Sequence, residues 1–299
     1  MLGASFYFTS RANMKKSVRR SASFYEHEYN ARASIPDHPR IFERWAAASA
    51  LVRQSIPCSL DQAYGTAPAE QLDFFPSGQP NAPLLVFIHG GWWRSLDKSD
   101  FSFVVPAFTR AGIDVAVTNY TLAPFATIEQ ITLQQIQAVA WLYRRAATVG
   151  YDRNRIVIAG HSAGAHLSAM LMATLWPQVG ADLPLDLVKG GILLSGLYDL
   201  APVMYAQFVN GDLNLTAARS KALSPAHMPQ SHQIPFFTAV GGLESNEFKR
   251  QNALIATRWN TAHTGDILLP ADNHLTICDT FAAPHTALCT SAIALLKMT

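Results

Sequence analysis

The sequence predicts an α/β fold in which a mostly parallel central sheet carries helices on both faces. From residue 72 onward, short runs rich in β-branched and aromatic residues alternate with longer helical patterns, as in chains whose parallel strands are joined by crossover helices. Several of the short runs are apolar throughout, which is typical of strands covered on both faces. Two of these runs end directly in glycine-rich turns that carry polar side chains.

Seven segments have strand character, and they are residues 72–75, 84–89, 113–118, 155–159, 191–195, 236–240 and 266–269. Five segments have helical character, and they are residues 101–111, 128–149, 163–176, 246–262 and 280–297. In the second of these, apolar residues recur at nearly helical spacing. The alternation of the two kinds of segment accounts for the predicted class.

Two regions depart from this alternation. Residues 21–66 are predicted to form a mostly helical N-terminal extension. Between residues 200 and 235 the pattern breaks into short segments that contain several prolines, which predicts a small cap insertion over the sheet. We expect residues 21–299 to form a single domain that includes this cap.

Composition excludes several classes of protein. The chain has 299 residues, of which 49% are hydrophobic and 15% are charged, so it is too apolar for a disordered protein. It contains no apolar run long enough to span a bilayer. The net charge of +2 includes five Lys and Arg residues within residues 1–20, which contain no acid, so the remainder gives no basic surface for nucleic acid.

The basic residues 1–20 have no secretory apolar core with a cleavage site, and we interpret them as a disordered leader. A native start at Met14 and a transit peptide are the alternatives. Three cysteines, Cys58, Cys278 and Cys289, have neither metal-ligand nor redox spacing and indicate reduced thiols in a cytoplasmic protein. None lies at a strand-to-helix turn, so a cysteine nucleophile is disfavoured. The histidines and carboxylates also lack the spacing of a metal-dependent amidase.

The first chemical motif is Gly160-His161-Ser162-Ala163-Gly164, between a buried strand and a helix. A serine at such a sharp turn adopts a strained backbone, so the residues two before and two after it must be small. Gly160 and Gly164 meet this requirement. This context, typical of α/β hydrolases, predicts Ser162 as a nucleophile. A glycine-rich turn with a capping serine is the alternative.

The second motif is His89-Gly90-Gly91-Trp92-Trp93, at the end of another buried strand. Loops of this form supply backbone N–H donors to the oxyanion hole of lipase- and esterase-like enzymes. We expect the amides of Gly91, Trp92 and Ala163 to form the hole, with Gly90 allowing the turn. His89 is expected to anchor this loop rather than act as a base.

The base and acid are predicted from their order in the chain, which in this fold is serine, acid, histidine. His274 lies in a polar loop between the last strand and the terminal helix, which makes it the predicted base. His263 and His285 lie in less suitable positions. Glu244, in the loop after strand 236–240, is the predicted acid, and Asp199 after the preceding strand is the alternative; Glu247 is a third candidate.

Aromatic side chains in loops or in the cap are candidates to line a substrate pocket, although ordinary core packing is the more common role of such residues. The candidates are Trp92, Trp93, Tyr120, Phe125, Tyr198, Tyr205 and Phe208, with Asn210 as a polar candidate. No residue can be identified from the sequence as a partner for a substrate carboxylate or ammonium group.

From about Tyr25 to its end, the chain resembles the kynurenine formamidase (arylformamidase) family, in the hormone-sensitive-lipase-like branch of the α/β hydrolases. The matching segments are residues 28–32 (Glu-Tyr-Asn-Ala-Arg), 64–65, 72–76, 89–93, 160–164, 195–200 (Ser-Gly-Leu-Tyr-Asp-Leu), 224–225 and 244–251. Segment 195–200 and the Asn-Glu-Phe-Lys-Arg-Gln part of the last are similar to this family in particular. The chain departs from the family at Glu244, where the family typically has Asp.

The resemblance implies hydrolysis of N-formylkynurenine to kynurenine and formate, as in tryptophan catabolism, through a formyl-enzyme and without a metal or organic cofactor. The alternatives are a carboxylesterase or an aryl-amide or carbamate hydrolase that uses the same residues, and a catalytically inactive binding module. The expected partner is a small-molecule aryl formamide or ester rather than nucleic acid or a membrane. The sequence leaves the oligomeric state open, with a homodimer among the alternatives.

Overall fold

A computed structural model describes residues 20–299, so the predicted leader, apart from Arg20, lies outside the described residues. Eight strands form one sheet in the order β1-β2-β4-β3-β5-β6-β7-β8. The strands are Ser59–Ala63 (β1), Gln71–Phe75 (β2), Leu84–Ile88 (β3), Asp114–Thr118 (β4), Ile156–His161 (β5), Val188–Leu194 (β6), Phe236–Gly241 (β7) and His263–Leu269 (β8). The two antiparallel pairings, β1 with β2 and β2 with β4, both involve β2, and the other five are parallel, so the predicted mostly parallel sheet is confirmed.

The middle of the sheet is buried on both faces. Every residue of β3, β4 and β5 is buried. Along β3, Leu84, Val86 and Ile88 join the core on one face of the sheet, whereas Leu85 and Phe87 join the core on the other. Because both faces are covered, the sequences of these strands are apolar throughout instead of alternating between apolar and polar residues. Their carboxyl ends lie at one edge of the sheet, where the polar turns follow.

The twelve α-helices within residues 20–299 are Ala22–Tyr29 (α1), Ala31–Ser34 (α2), His38–Ser55 (α3), Val105–Thr109 (α4), Ile128–Val149 (α5), Ala163–Ala173 (α6), Trp176–Val179 (α7), Gln207–Leu213 (α8), Ala217–Ala222 (α9), Asn246–Arg258 (α10), Thr276–Ala282 (α11) and Ala287–Met298 (α12). Helices α1, α5, α6 and α10 contribute to the core on one face of the sheet. Helices α3, α4, α11 and α12 contribute to the core on the other, as the fold class requires.

Helix α5 has the predicted boundaries because both ends carry strong signals. Thr127 and Gln130 form a reciprocal capping box at its start. Gly150, at its end, has the left-handed φ of 104° that closes many helices. Its buried residues recur along one side, against the sheet.

Other predicted helices are interrupted by proline. Segment 163–176 ends as a helix at Ala173, and Pro177 lies in the first turn of the short α7. Segment 280–297 is divided into α11 and α12, and Pro284 lies between them, so His285 is outside the terminal helix. Proline has no backbone N–H to continue a helix that precedes it, which explains both corrections.

Three other boundaries were wrong. Segment 101–111 begins as the 3-10 turn Ser102–Val104 and forms only five α-helical residues in α4. Helix α10 ends at Arg258 rather than at 262, and β8 begins at His263 rather than at 266. Element ends are set by local capping and pairing, which hydrophobic spacing does not encode.

The N-terminal extension contains a strand that the sequence prediction missed. Strand β1 pairs antiparallel with β2 at the edge of the sheet. Four of its five residues are exposed, so it shows no hydrophobic alternation from which a strand could be predicted. The remainder of the extension is helical, as predicted, in α1, α2 and α3.

The predicted cap, residues 200–235, consists of α8, α9 and the 3-10 turns Pro202–Tyr205 and Pro225–His227. Helix α1 packs against this region, and the Glu26 carboxylate accepts a hydrogen bond of 3.2 Å from the Phe208 amide in the first turn of α8. The extension and the cap therefore meet over the carboxyl edge of the sheet. None of the helices in residues 20–299 has the length and apolar character needed to cross a membrane.

Candidate active site

Ser162 occupies a strained turn between β5 and α6. Its φ is 56° and its ψ is −117°, a conformation that side-chain-bearing residues rarely adopt. A Cβ at Gly160 would lie 2.2 Å from the carbonyl oxygen of Gly164, and a Cβ at Gly164 would lie 2.0 Å from that of Ile88. Both flanking glycines are therefore required for the close approach that raises the Ser162 hydroxyl above the sheet edge.

Three of the predicted residues are joined by hydrogen bonds. His274 Nε2 lies 3.0 Å from Ser162 Oγ, and His274 Nδ1 lies 2.6 Å from Glu244 Oε2. Since an ionised carboxylate only accepts hydrogen bonds, Nδ1 donates to Glu244 and Nε2 is free to accept the Ser162 hydroxyl proton. All three side chains are buried, with Ser162 only 2% exposed.

The Glu244 carboxylate is held on its other oxygen as well. Oε1 accepts hydrogen bonds from the Gly241 amide at 2.7 Å and from the Ser195 hydroxyl at 2.6 Å. Ser195, at the end of β6, has a φ of 50° that turns the chain there. These contacts fix the carboxylate beside the imidazole. Ser195 was missed by the sequence prediction, and its place at the start of segment 195–200 was the available signal.

The two other acids are engaged elsewhere. Asp199, the alternative acid, lies 3.8 Å from Arg250 and 3.7 Å from His227 and makes no hydrogen bond to His274. Glu247 accepts a hydrogen bond of 2.8 Å from the Tyr29 hydroxyl and pairs with Arg250. The arrangement therefore brings Glu244, and not its rivals, to the imidazole.

The glycine-rich loop after β3 has a positive φ at three consecutive residues, of which the two tryptophans are strained. Gly91 has a φ of 107°, and Trp92 and Trp93 have φ values of 57° and 56°. A Cβ on Gly91 would lie 2.1 Å from the Ser95 carbonyl oxygen. A Cβ on Gly90 would lie 3.1 Å from the Ser162 Cβ, so this glycine lets the loop pass close to the serine.

Within the described part of the chain, backbone amides of this loop and of the residue after Ser162 are without hydrogen-bond acceptors. The amides of Gly91, Trp92 and Ala163 have no hydrogen-bond acceptor among residues 20–299. Unpaired N–H groups next to a buried serine are the kind of donors that stabilise negative charge on a substrate oxygen. The sequence predicts these three amides for an oxyanion hole, and that role stays a prediction.

His89 anchors the start of the loop. Its ring nitrogens lie 2.8 Å from the Gly90 carbonyl and 3.0 Å from Asn119 Oδ1, and its ring stacks on Tyr120 at 4.4 Å. The Tyr120 hydroxyl donates to the His89 carbonyl at 3.0 Å. Burial lowers the pKa of His89. The buried Tyr120 side chain therefore contacts the start of the loop through both its ring and its hydroxyl.

His161, beside the serine, holds the loop of the predicted base. Its Nε2 donates a hydrogen bond of 2.7 Å to the backbone carbonyl of His274, and the two rings lie 4.8 Å apart. Burial, and then the neighbouring His274, lower the pKa of His161 well below its usual value. A neutral His161 is the form that presents one N–H to a carbonyl without adding charge beside the base.

An aromatic cluster forms a wall next to these groups. Trp92 packs edge-to-face against Tyr29 at 6.0 Å and against Phe208 at 5.4 Å. Phe248 lies 4.2 Å from the His274 ring and 5.8 Å from Tyr29. The wall therefore joins residues of the extension, the loop, the cap and α10. Tyr29 and Phe248 were not predicted as site residues.

Four other residues that were predicted to line a substrate pocket differ in their contacts. Trp93 is fully buried and packs edge-to-face on His166 at 5.0 Å, and Tyr198 is fully buried. Tyr205 stacks on Tyr25 at 5.7 Å at the outer side of the aromatic wall. The Asn210 side chain bonds to the backbone of Met204 and Leu215 within the cap.

Phe125 is 88% exposed and makes no ring contact with the wall within residues 20–299. Of the sequence-predicted aromatic residues, Trp92 contacts Phe248 at 6.4 Å, and Phe208 contacts Trp92.

A cavity of about 530 Å³ adjoins the imidazole. It is bounded by α1, α2 and the loops after β7 and β8, and its lining includes Glu28, Ile35, Leu243, Phe248 and His274. Ser162 does not line it. Glu244, which contacts His274 Nδ1, is part of the lining, so the cavity lies towards the Nδ1 side of the imidazole rather than towards the Ser162 hydroxyl.

Within the described part of the chain, no three His, Cys, Asp or Glu side chains are grouped as metal ligands would be. Cys278 is fully buried, and burial raises the pKa of its thiol well above the usual value. A raised pKa disfavours the thiolate that a cysteine nucleophile requires.

Comparison with known proteins gives relatives of matching fold. Residues 72–178 match the BD-FAE family model. The kynurenine formamidase of Danio rerio is 30% identical over 200 residues, which cover 64% of this chain and 66% of that protein. The kynurenine formamidase of Salmo salar is 28% identical over 239 residues, which cover 78% of each chain.

A solved structure matches nearly the whole fold. It is of a protein provisionally named a thioesterase, from Silicibacter sp. TM1040, with a TM-score of 0.79 and 30% identity. The match covers 91% of this chain and 98% of that chain. The sheet, the elbow and these relatives agree, and the chain therefore belongs to the α/β-hydrolase family, in the group that includes the kynurenine formamidases.

Proposed function

We propose that the protein is a serine hydrolase in which Ser162 is the nucleophile, His274 the general base and Glu244 the acid that orients it. The observation that carries the proposal is the continuous hydrogen-bonded path from Ser162 through His274 to Glu244 at a strained turn. Nucleophile, base and orienting acid in this geometry are what acyl transfer needs.

In the first half of the reaction, His274 Nε2 takes the Ser162 hydroxyl proton as Oγ attacks the substrate carbonyl carbon. The amides of Gly91, Trp92 and Ala163 donate to the oxygen as it becomes negative. The Glu244 carboxylate stabilises the resulting imidazolium. His274 then gives the proton to the leaving group, and the acyl group stays on Ser162.

In the second half, His274 deprotonates a water molecule that attacks the acyl-enzyme. The acid product leaves, and the proton returns to Ser162 Oγ. The proposal needs no metal ion or organic cofactor, because the imidazole and the backbone amides supply the proton transfer and the charge stabilisation.

The substrate that we propose is an aryl formamide, N-formylkynurenine, which gives kynurenine and formate in tryptophan catabolism. Formyl is the smallest acyl group, and it suits a serine that is only 2% exposed. The aromatic wall, in which Phe248 lies 4.2 Å from the His274 ring, offers the larger aryl amine an apolar surface beside the base. The relatives named kynurenine formamidases support the same substrate.

The second candidate is an ester hydrolase that uses the same residues. The similarity to the protein provisionally named a thioesterase favours it. An activated ester is attacked by the serine in the same way as a formamide and carries a better leaving group. The elbow and the oxyanion loop would serve both substrates. The two candidates differ in what occupies the leaving-group side.

A comparison of catalytic efficiency separates the two. We expect kcat/KM for N-formylkynurenine to exceed that for p-nitrophenyl acetate, although the nitrophenolate is the better leaving group. Binding of the aryl amine beside His274 is expected to stabilise the transition state of formamide hydrolysis and so to raise kcat/KM for N-formylkynurenine. A strong preference for p-nitrophenyl acetate would favour the ester hydrolase, and Phe248→Ala should lower the efficiency for N-formylkynurenine more than that for the ester.

A further inference from the structure

Arg32, in the short helix α2, reaches the oxyanion loop through one intermediate side chain. Its Nη2 donates a hydrogen bond of 2.6 Å to Ser95 Oγ, and Ser95 Oγ donates a hydrogen bond of 2.9 Å to the carbonyl oxygen of Gly91. A serine hydroxyl accepts and donates at the same time, so the two bonds are compatible and each polarises the other.

The Gly91 carbonyl oxygen, where the relay from Arg32 through Ser95 ends, accepts three hydrogen bonds. Besides Ser95 Oγ, the amides of Arg94 and Ser95 donate to the Gly91 oxygen at 3.1 and 3.0 Å. In a trans peptide, the carbonyl of one residue and the N–H of the next point in opposite directions within one plane. Three donors on the Gly91 oxygen therefore fix the direction of the Trp92 N–H.

The Trp92 N–H has no hydrogen-bond acceptor within residues 20–299, and it is one of the amides predicted to form the oxyanion hole. The peptide group that bears it lies between two residues at positive φ, Gly91 at 107° and Trp92 at 57°, so it has no regular secondary structure to hold its orientation. A donor that stabilises a developing oxyanion must already point at it before reaction. The contacts on the Gly91 oxygen provide that orientation.

The charge of Arg32 is not matched by an acid. Within residues 20–299 its guanidinium pairs with no carboxylate, whereas the neighbouring Arg94 pairs with Asp212. It lies 5.2 Å from the centre of the Phe42 ring, which supports it from the α3 side. Burial, and then the charge of Arg94, lower the pKa of Arg32 from its ordinary value. A half-buried cation without a counterion requires a specific role.

We propose that Arg32 is a positioning residue for catalysis: through Ser95 it holds the Gly91–Trp92 peptide group so that the Trp92 N–H points into the oxyanion hole. This inference depends on the proposed Ser162 chemistry. The N-terminal extension then has a role in the reaction, which explains the arginine in segment 28–32.

The test uses the full-length protein and a neutral substrate, p-nitrophenyl acetate, which has no carboxylate for an arginine to bind. The variants are Arg32→Met, Ser95→Ala, the double variant, and Arg145→Met as the matched change at an exposed arginine. We expect each single change to lower kcat about tenfold, less than the loss of a whole oxyanion donor. KM should change by less than about twofold.

Two readouts distinguish positioning from general support of the fold. The double variant should lose no more activity than either single variant, because both changes break one relay. Guanidinium ion added to the assay should restore Arg32→Met in part but should not restore Ser95→Ala. If Arg32→Met does not fold, Arg32→Lys and Ser95→Ala, with urea denaturation as a check, are expected to show the same loss of kcat.

Unchanged kcat for the neutral ester with a raised KM for N-formylkynurenine would overturn the inference, since Arg32 would then bind the substrate carboxylate. Fully additive losses in the double variant would overturn it as well. Failure of the proposed function is distinguishable, because then the Ser162→Ala variant would hydrolyse both substrates as fast as the unaltered protein.

Discussion

The Glu244 carboxylate is fixed at both oxygens, one by His274 and the other by Ser195 and Gly241. We predict that Glu244→Gln lowers kcat about 10³- to 10⁴-fold, because an amide favours the wrong imidazole tautomer and cannot balance the imidazolium charge. Steady-state kinetics on N-formylkynurenine and p-nitrophenyl acetate measure the loss.

Asp199→Asn is the matched control. Its carboxylate contacts Arg250 and His227 rather than His274, so this change should alter kcat by less than about tenfold. A larger loss from Asp199→Asn than from Glu244→Gln would show that Glu244 is not the orienting acid.

The buried His166 makes stability depend on pH. Its Nε2 donates to the Leu223 carbonyl at 2.7 Å, and burial lowers its pKa to about 4, against about 6.5 in an unfolded chain. Between these values the unfolded chain binds the proton more readily. The stabilising contribution is therefore present above pH 6.5 and is lost as the pH falls towards 4, by up to about 3 kcal/mol.

Urea denaturation at a series of pH values tests this expectation. His166→Gln should make the free energy of unfolding less dependent on pH between 6.5 and 4, whatever its effect at pH 7.5. His285→Gln, at an exposed histidine, should leave the dependence unchanged. An identical pH dependence in His166→Gln and in the unaltered protein would contradict the assigned protonation.

For single residues, the sequence was informative where a short motif or the order of residues along the chain identifies a side chain. Ser162 lies in a short motif with its strand and helix, and His274 and Glu244 follow from chain order. Arg32 and Tyr29 were missed because their contacts span 63 residues to Ser95 and 218 residues to Glu247. No local pattern encodes such pairs.

The loop after β3 depends on glycine at position 91. We predict that Gly91→Ala lowers kcat by about 10²- to 10³-fold, because the new Cβ would lie 2.1 Å from the Ser95 carbonyl oxygen and φ is 107°. The loop must then shift and misdirect the Trp92 amide. Gly211→Ala, where a Cβ meets nothing within 4 Å, should leave kcat unchanged. Equal activity in both variants would contradict the assigned geometry.

Elements were predicted best where a pattern and its end signals coincide. Helix α5 combines an apolar stripe with a capping box and a terminal glycine, and its boundaries agree with the prediction. Segment 280–297 was predicted as one helix across Pro284, where the backbone cannot remain helical, and segment 163–176 was predicted to continue up to Pro177, although the helix ends at Ala173. Strand β1 was missed because an exposed edge strand need not alternate.

In the whole molecule, the extension and the cap close over the carboxyl edge of the sheet, and Tyr29 joins them to α10. Its ring packs between Trp92 and Phe248, and its hydroxyl bonds to Glu247 and Gln251. We predict that Tyr29→Ala lowers the free energy of unfolding by about 3–5 kcal/mol, because it leaves a cavity at this junction. Urea denaturation measures the change.

Tyr29→Phe is the control for the ring. It removes only the hydroxyl and should cost about 1–3 kcal/mol, since Glu247 still pairs with Arg250. A loss from Tyr29→Ala no greater than that from Tyr29→Phe would mean that the ring does not hold the extension to the sheet.

The measurement that tests the central claim most directly is covalent labelling by a fluorophosphonate probe, followed by intact mass and by hydrolysis of N-formylkynurenine. We predict one label per chain with loss of activity, and neither label nor activity in Ser162→Ala. Ser231→Ala, at another serine that contacts a histidine, should remain labelled and active. Retained labelling or hydrolysis in Ser162→Ala would contradict the assignment of Ser162 as the nucleophile.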